Sequence, residues 1–178
     1  IHARRLQPGE LASAAESLPT GQEPILEACG PVITSATVAG HVGATRGTNN
    51  TGELNAIHEA LTEGEKLITD PSRQELHILA DSFLAIHTTT GAWKPRSNKR
   101  MVDANKAVLA RLRKRGLVVR IRHVRAHRGH AMNERADALA KMGALGCSMR
   151  RAACPHSPTS PTPTPDSFLA IHTTTGAW

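Results

Sequence analysis

The segment Glu75–Ala80, with the sequence ELHILA, constrains the fold of this chain more than any other feature. It is short, mostly apolar and free of glycine and proline, which is typical of a strand buried in a parallel or mixed sheet. Asp81 follows it directly, so a carboxylate lies at the C-terminal end of the strand. Ligands of open α/β sheets bind at that edge. The segment therefore predicts an α/β fold with a functional site beside Asp81.

Helical patterns lie on both sides of this strand. Apolar residues recur at helical spacing over 54–61 and over 101–112, which predicts two amphipathic helices. His58 lies on the first apolar stripe and is interpreted as a packed core histidine. Residues 117–124 alternate apolar and basic side chains, as an edge strand does, and a closing helix is expected at 131–143. A strand at 24–29 and a short helix at 82–88 complete the predicted elements.

The ends of the chain differ in composition from its middle. Residues 1–22 are broken by turn residues and predict an irregular segment with no strand, followed by a domain at 23–145. Residues 146–165 are rich in Pro, Ser and Thr and predict a disordered linker. Residues 166–178, DSFLAIHTTTGAW, repeat 81–93 residue for residue. Because this second copy has no strand ahead of it to pack on, we expect it to be disordered and dispensable for folding and nucleic-acid binding.

The net charge indicates the class of partner. The 178 residues include 22 Lys and Arg against 15 Asp and Glu, a formal net charge of +7. Basic side chains that neutralise phosphates release counterions, so this excess favours a polyanionic partner such as nucleic acid. Two Phe, two Trp and no Tyr argue against recognition of single strands by base stacking. No apolar run has the length of a membrane span, so no membrane association is inferred.

The cysteines argue against two common structural roles. Cys29, Cys147 and Cys154 are odd in number and contain no C-x-x-C pair, which indicates neither a disulfide framework nor a zinc ribbon. Cys147, Cys154 and His156 lack a fourth partner, so we do not interpret them as a metal site. A reduced intracellular compartment is the simpler expectation.

Three separated motifs each place a carboxylate at the boundary of a predicted element. Glu53 is expected in the first turn of a helix, Asp81 at the end of a strand, and Asp137 one helical turn after Asn133 on the same face. Each carboxylate alone is typical of a dipole-stabilised surface residue or a turn. Together they offer hard oxygen ligands from different elements, as a Mg²⁺ site requires. The motifs are TNNTGEL at 48–54, DS at 81–82 and HRGHAMNERAD at 127–137.

In this order the motifs resemble ribonuclease H type 1, over residues 23–145. The resemblance implies a mixed sheet flanked by helices, and an enzyme that cleaves the RNA strand of RNA–DNA hybrids endonucleolytically with two metal ions. Mg²⁺ is the implied cofactor, with Mn²⁺ as an alternative. Glu53, Asp81 and Asp137 match catalytic metal ligands of the family. His127 matches a catalytic loop histidine that relays protons or assists product release.

The resemblance is incomplete at its start. The family opens with a strand that carries an Asp followed by Gly-Ser, whereas this chain has no Asp before Asp70. Glu27 lies in a segment that resembles the family's third strand, because it runs on into Gly-Pro-Val at 30–32. We therefore expect the first and second strands to be missing. Ile1 in place of Met agrees with an N-terminally incomplete chain, whose activity is expected to be weak or absent.

The resemblance also implies residues that contact the hybrid. Asn49 and Asn50 match positions that read the minor groove, where the 2′-OH distinguishes RNA from DNA. Phe83 stands where some members place a polar substrate contact, so that contact is not carried over. A basic loop is expected to bind phosphates, with a solvated charged loop as the alternative. The expected nucleic-acid-binding residues are Asn49, Asn50, Trp93, Lys94, Arg96, Asn98, Lys99, Arg100 and Asn133.

Two interpretations besides an active enzyme stay open. One is a catalytically inactive remnant of the family that binds hybrids or RNA through its basic surface. The other is a non-functional gene fragment. For an enzyme the expected partner is an RNA–DNA hybrid. No protein partner is inferred, and the chain is expected to be a monomer.

Overall fold

The computed structural model describes residues 2–6, 26–72, 74–124, 131–152 and 168–173. For 2–6, 26, 131–133, 151–152 and 168–173 it describes the backbone alone. The elements are β1 (His2–Leu6), β2 (Leu26–Gly30), α1 (Asn49–Leu67), β3 (Glu75–Ala80), α2 (Phe83–Thr90), α3 (Lys99–Lys114), β4 (Val118–His123), α4 (Ala131–Ala144), β5 (Met149–Ala152) and β6 (Phe168–Thr173). None of the described helices is long and apolar enough to cross a membrane.

The strands form one mixed sheet in the order β4-β3-β1-β6-β2-β5. The β3–β4 and β2–β6 pairs are parallel, and the β1–β3, β1–β6 and β2–β5 pairs are antiparallel. α1 packs against β3 and β6, while α4 packs against β2 and β6. The fold is therefore a mixed α/β sheet flanked by helices, as predicted, and the predicted edge strand β4 does lie at an edge.

The start of α1 is fixed by a reciprocal cap. The backbone N–H of Thr51 donates to Oγ1 of Thr48 at 3.2 Å, and the backbone N–H of Thr48 donates to Oγ1 of Thr51 at 2.8 Å. These bonds satisfy donors that have no partner inside the helix. Near its other end, Gly64 lies against β3, where an added Cβ would come within 2.6 Å of Cδ2 of Leu76. The cap therefore fixes where α1 begins, and Gly64 allows the helix to lie close to β3.

The apolar stripes predicted for the two long helices form the core. Leu54, Ile57 and Leu61 of α1 are completely buried, as are Met101 and Leu112 of α3. They belong to one cluster that also includes side chains of β3. Burial of a side chain of this size stabilises the fold by about 1.5–3 kcal/mol. Both predicted amphipathic helices are therefore confirmed.

Three strands lie where the sequence predicts none. β1 lies in the N-terminal segment, β5 in the predicted linker and β6 in the duplicated tail. β1 and β6 lie between β3 and β2, and β5 pairs with the other side of β2. The physical reason is tertiary, because β2 and β3 offer backbone N–H and C=O groups whose availability cannot be read from the local sequence of the segments that pair with them. The structure thus differs from the expectation at these residues.

Candidate active site

Glu53 is the fifth residue of α1 and lies on its buried face. Glu53 is among the least accessible acidic residues that the structure describes, with 6% of the residue exposed. The first turn of α1 contains no acidic residue, so the expectation of Glu53 in that turn is wrong by about one residue. The cause is the cap at Thr48, which starts the helix at Asn49 and moves Glu53 into the second turn, above the core.

Asp81 lies immediately after β3, as the sequence predicts, and approaches Glu53 from the sheet. The negative charge of Asp81 and a weaker hydrogen-bonding interaction between the two side chains both raise the pKa of Glu53, so the two carboxyl groups lie close together. Ser82 fixes the turn that follows, because its Oγ accepts from the backbone N–H of Ala85 at 3.2 Å and caps α2. Two acids separated in sequence are thus brought into contact by a strand end and a helix face.

The electrostatics of this pair favour a bound cation. Burial raises the pKa of Glu53, and the negative charges of Asp81 and Asp137 raise it further, to about 7. Two carboxylates this close repel each other. A divalent cation bound there would relieve that repulsion because it compensates both charges. Asp137, half-exposed on α4, brings the third charge from a different element.

α4, which carries Asp137, is held against β2. Nε and Nη2 of Arg135 donate to the carboxylate of Glu27 at 2.6 and 2.8 Å. Glu27 is buried, so this bidentate pair compensates a charge that would otherwise be costly in the interior. Farther along α4, a Cβ on Gly143 would come within 2.8 Å of the carbonyl oxygen of Gly30. The helix therefore approaches the strand closely, and both contacts restrict the position of Asp137.

The all-oxygen donor set fits a hard divalent cation, but the structure brings only part of it into contact. Asp81 and Asp137 both raise the pKa of Glu53 through their charges, and Asp81 also does so through a hydrogen-bonding interaction. Among the described residues, no group of at least three His, Cys, Asp or Glu side chains is arranged closely enough to hold a metal ion. Glu53, Asp81 and Asp137 are the residues that would hold such a cation, and this assignment stays a prediction.

Two other predicted residues, His127 and Asn133, belong to the third motif. His127 lies outside the described residues. Asn133 is described by its backbone alone, which is helical and belongs to α4, as does Asp137. The prediction that Asn133 and Asp137 share one helix is therefore confirmed, while the side-chain role of Asn133 stays a prediction.

The predicted substrate contacts whose side chains the structure describes are exposed, except Asn98, which is half-buried. Asn49 and Asn50 are the first two residues of α1, one turn before Glu53 along the helix. The basic loop between α2 and α3 borders a cavity of about 660 Å³, whose lining includes Trp93, Lys94 and Arg96. The other predicted contacts in this region, Asn98, Lys99 and Arg100, lie at the start of α3.

A row of neighbouring rings that includes Phe83, two residues after Asp81, was not predicted. Phe83 stacks on His123 of β4, with ring centroids 3.8 Å apart, and on His87 at 5.7 Å. The ring of His87 lies 4.5 Å from that of Trp93. The spacing of Phe83 and His87 by one helical turn indicates from the sequence that these two rings can meet. The contact with His123 cannot be predicted in this way, because it depends on the pairing of β3 with β4. The row connects the end of β4 to the basic loop.

The sequence model of the RNase H family matches residues 26–145, which is more than half of the chain. This chain belongs to the ribonuclease H family. The matched segment runs from β2 to the end of α4 and contains Glu53, Asp81 and Asp137, but it includes neither β1, β5 nor β6. The predicted family and its fold class are thus confirmed, and the family generally uses a divalent metal.

A curated relative agrees with this assignment. The protein named Ribonuclease H from Phenylobacterium zucineum (strain HLK1) is 37% identical over 122 residues, covering 62% of this chain and 74% of that protein. No solved structure matches the chain.

Proposed function

We propose that this chain is an endonuclease that hydrolyses the RNA strand of RNA–DNA hybrids with divalent metal ions held by Glu53, Asp81 and Asp137. The observation that carries the proposal is the contact between the carboxyl groups of Glu53 and Asp81, which come from α1 and from the end of β3. Membership of the ribonuclease H family supports the class of substrate. A pair of Mg²⁺ ions, or Mn²⁺ in their place, supplies the positive charge that activates water and polarises the phosphate.

The residues of the chain prepare the site for this chemistry. Burial of Glu53 lowers the local dielectric constant, which strengthens the attraction of its carboxylate for a cation. Because the pKa of Glu53 is raised to about 7, a cation held by Glu53 and Asp81 would compete with a proton for the Glu53 carboxyl group. Asp137 contributes the third carboxylate. His127 is proposed to relay a proton or assist product release.

The hybrid is proposed to lie across the exposed surface next to this pair. Asn49 and Asn50 offer amide donors and acceptors at the start of α1, suited to base edges and 2′-OH groups in the minor groove. Lys94 and Arg96 line the neighbouring cavity and provide charge for phosphates. The remaining proposed contacts are Trp93, Asn98, Lys99, Arg100 and Asn133.

Cleavage of an end-labelled RNA strand tests the proposal. We expect the RNA of an RNA–DNA hybrid to be cut in Mg²⁺ or Mn²⁺, and single-stranded RNA, double-stranded RNA and double-stranded DNA to stay intact. Turnover should be weak, because no Asp precedes Asp70 to match the family's first ligand. Asp81→Asn should abolish cleavage and leave hybrid binding in place. Asp103→Asn, the same change at an exposed position of α3, is the matched control. Equal cleavage by wild type and Asp81→Asn would contradict the proposed site.

A second candidate function is hybrid binding without cleavage. It is favoured by the absence, within the described part of the chain, of three acidic or histidine side chains close enough to hold one metal ion. It predicts hybrid affinity that does not change when Mg²⁺ is removed, and no cleavage by the wild type. Metal-dependent cleavage that Asp81→Asn abolishes would exclude it.

A further inference from the structure

Asn105 of α3 is a completely buried amide in the middle of the apolar core. A buried amide costs stability unless its donors and acceptor are satisfied, so its partners are informative. Its Nδ2 donates to the carbonyl oxygen of Leu54 at 2.9 Å and to Oγ1 of Thr89 at 3.3 Å. Its Oδ1 lies 3.0 Å from Nδ1 of His58, close enough to accept a hydrogen bond. One side chain thus binds three groups on two other helices.

Two of these partners lie close to Glu53 along the chain, and the third lies on the helix that follows Asp81. Leu54 directly follows Glu53 on α1, and His58 lies one turn farther along the same helix. Thr89 belongs to α2, which begins two residues after Asp81. Asn105 therefore connects the helix that carries Glu53 to the helix that follows Asp81.

We infer that Asn105 is a positioning residue, which holds α1 and α2 so that the carboxyl groups of Glu53 and Asp81 stay in contact. The inference rests on the proposed function, since that contact matters for a divalent cation. The amide is suited to the role because it is planar and has several hydrogen-bonding groups, so it fixes both helices at once. An apolar side chain of the same size fills the space without fixing their distance.

A neighbouring pair of threonines separates positioning from simple core stability. Thr88 and Thr89 are both buried, but Oγ1 of Thr88 donates to the carbonyl oxygen of Leu84 within its own helix, at 2.7 Å. Thr89→Val removes a hydroxyl bonded to Asn105, whereas Thr88→Val removes one that does not reach another helix. The chemical change is the same in both variants. Comparable losses of thermal stability are therefore expected from the two.

The test is Mn²⁺ and Mg²⁺ binding to the full chain, by calorimetry and by the Mn²⁺ electron paramagnetic resonance signal, well below the unfolding temperature. We expect Asn105→Leu to weaken binding by about tenfold, the lower end of the effect of residues that orient metal ligands. Thr89→Val should weaken it by a smaller factor, and Thr88→Val should not change it. The double variant Asn105→Leu/Thr89→Val should bind like Asn105→Leu, because both changes remove one interaction.

The outcomes distinguish this inference from the proposed function. A wild type that binds neither ion and cuts no hybrid would overturn the metal-dependent function, and the inference with it. A wild type that binds, with affinity unchanged in Thr89→Val and Asn105→Leu, would overturn the inference alone. Equal weakening by Thr88→Val and Thr89→Val would also overturn it, since the effect would then come from core stability. If Asn105→Leu does not fold, the metal affinities of Thr88→Val and Thr89→Val decide whether the inference holds.

Discussion

Glu53 is the residue on which the chemistry of the site depends most, because it is buried and faces a second acid. Burial raises its pKa above the ordinary 4.5, and the charges of Asp81 and Asp137 raise it further, to about 7. The folded chain therefore binds this proton more tightly than the unfolded chain does. The resulting stability is fully present below 4.5 and is lost as the pH rises through about 7. At neutral pH without a cation, the site thus costs stability.

Replacing Glu53 by Gln should remove this loss. We expect the free energy of unfolding of wild type to fall by up to about 3 kcal/mol more than that of Glu53→Gln between about pH 5 and about pH 8. Urea unfolding across this range, in the absence of divalent ions, measures the difference. Glu59→Gln, at a half-exposed position of the same helix, is the control and should follow the wild type. If the free energy of unfolding depends on pH in the same way for wild type and Glu53→Gln, the pKa of Glu53 is not raised in the folded chain.

At the scale of elements, the loop between α2 and α3 combines exposed charge with a cavity. Lys94 and Arg96 line the cavity, and Lys99 and Arg100 follow at the start of α3. The other end of α3 is also basic, but Arg111 there donates to Glu65 at 2.7 and 2.6 Å, which compensates part of that charge. Two regions of similar charge thus differ in their availability to phosphates.

Hybrid binding should depend on the loop more than on the other end of α3. We expect the fourfold change of Lys94, Arg96, Lys99 and Arg100 to Ala to weaken binding. The log–log salt slope should become shallower by about 0.9 for each phosphate that the variant no longer neutralises. Fluorescence anisotropy with a labelled hybrid at several salt concentrations measures both quantities.

The matched control for that experiment removes the same charge elsewhere. Arg111, Arg113, Lys114 and Arg115, all changed to Ala, remove the same four positive charges at the C-terminal end of α3. A salt slope reduced equally in both fourfold variants would show that net charge, not the loop, determines binding.

At the scale of the whole molecule, a segment outside the family match takes part in the sheet. β6 lies between β1 and β2, and α1 and α4 both pack against it. Its backbone pairs with β2 from Leu26 to Gly30. The sequence predicts that this tail is dispensable, because it has no strand ahead of it. In the structure, β1 and β2 pair with β6 on its two sides.

Disruption of β6 should therefore destabilise the chain. Deleting 153–178 should lower the thermal midpoint by several degrees, since a loss of 1 kcal/mol corresponds to about 2–4 °C in a chain of this size. Ala170→Pro should act in the same direction, because Ala170 pairs with both His2 and Glu27 and proline cannot donate in a sheet. Differential scanning calorimetry of wild type, deletion and point variant is the measurement. Unchanged midpoints would support the sequence-based expectation of a dispensable tail.

Much of the domain from β2 to α4 follows from local sequence. The apolar stripe of α1, the strand Glu75–Ala80 with Asp81 at its end, and α3 with its cationic last turn all lie where the sequence predicts them. Hydrophobic periodicity and capping or turn residues act over a few residues, so they can be recognised in a single sequence. The order of the acidic motifs also indicates the family without any knowledge of the fold.

Only the tertiary structure decided which distant groups meet. The contact of Glu53 with Asp81 and the network around Asn105 join residues far apart in sequence, and no local pattern encodes those distances. The clearest case is FLAIHT, which is helical at 83–88 and forms a strand at 168–173. Its intrinsic propensities are identical in both places. In the first copy Ser82 caps a helix that packs on α3, whereas in the second β1 and β2 offer backbone partners on both sides, so the surroundings select the conformation.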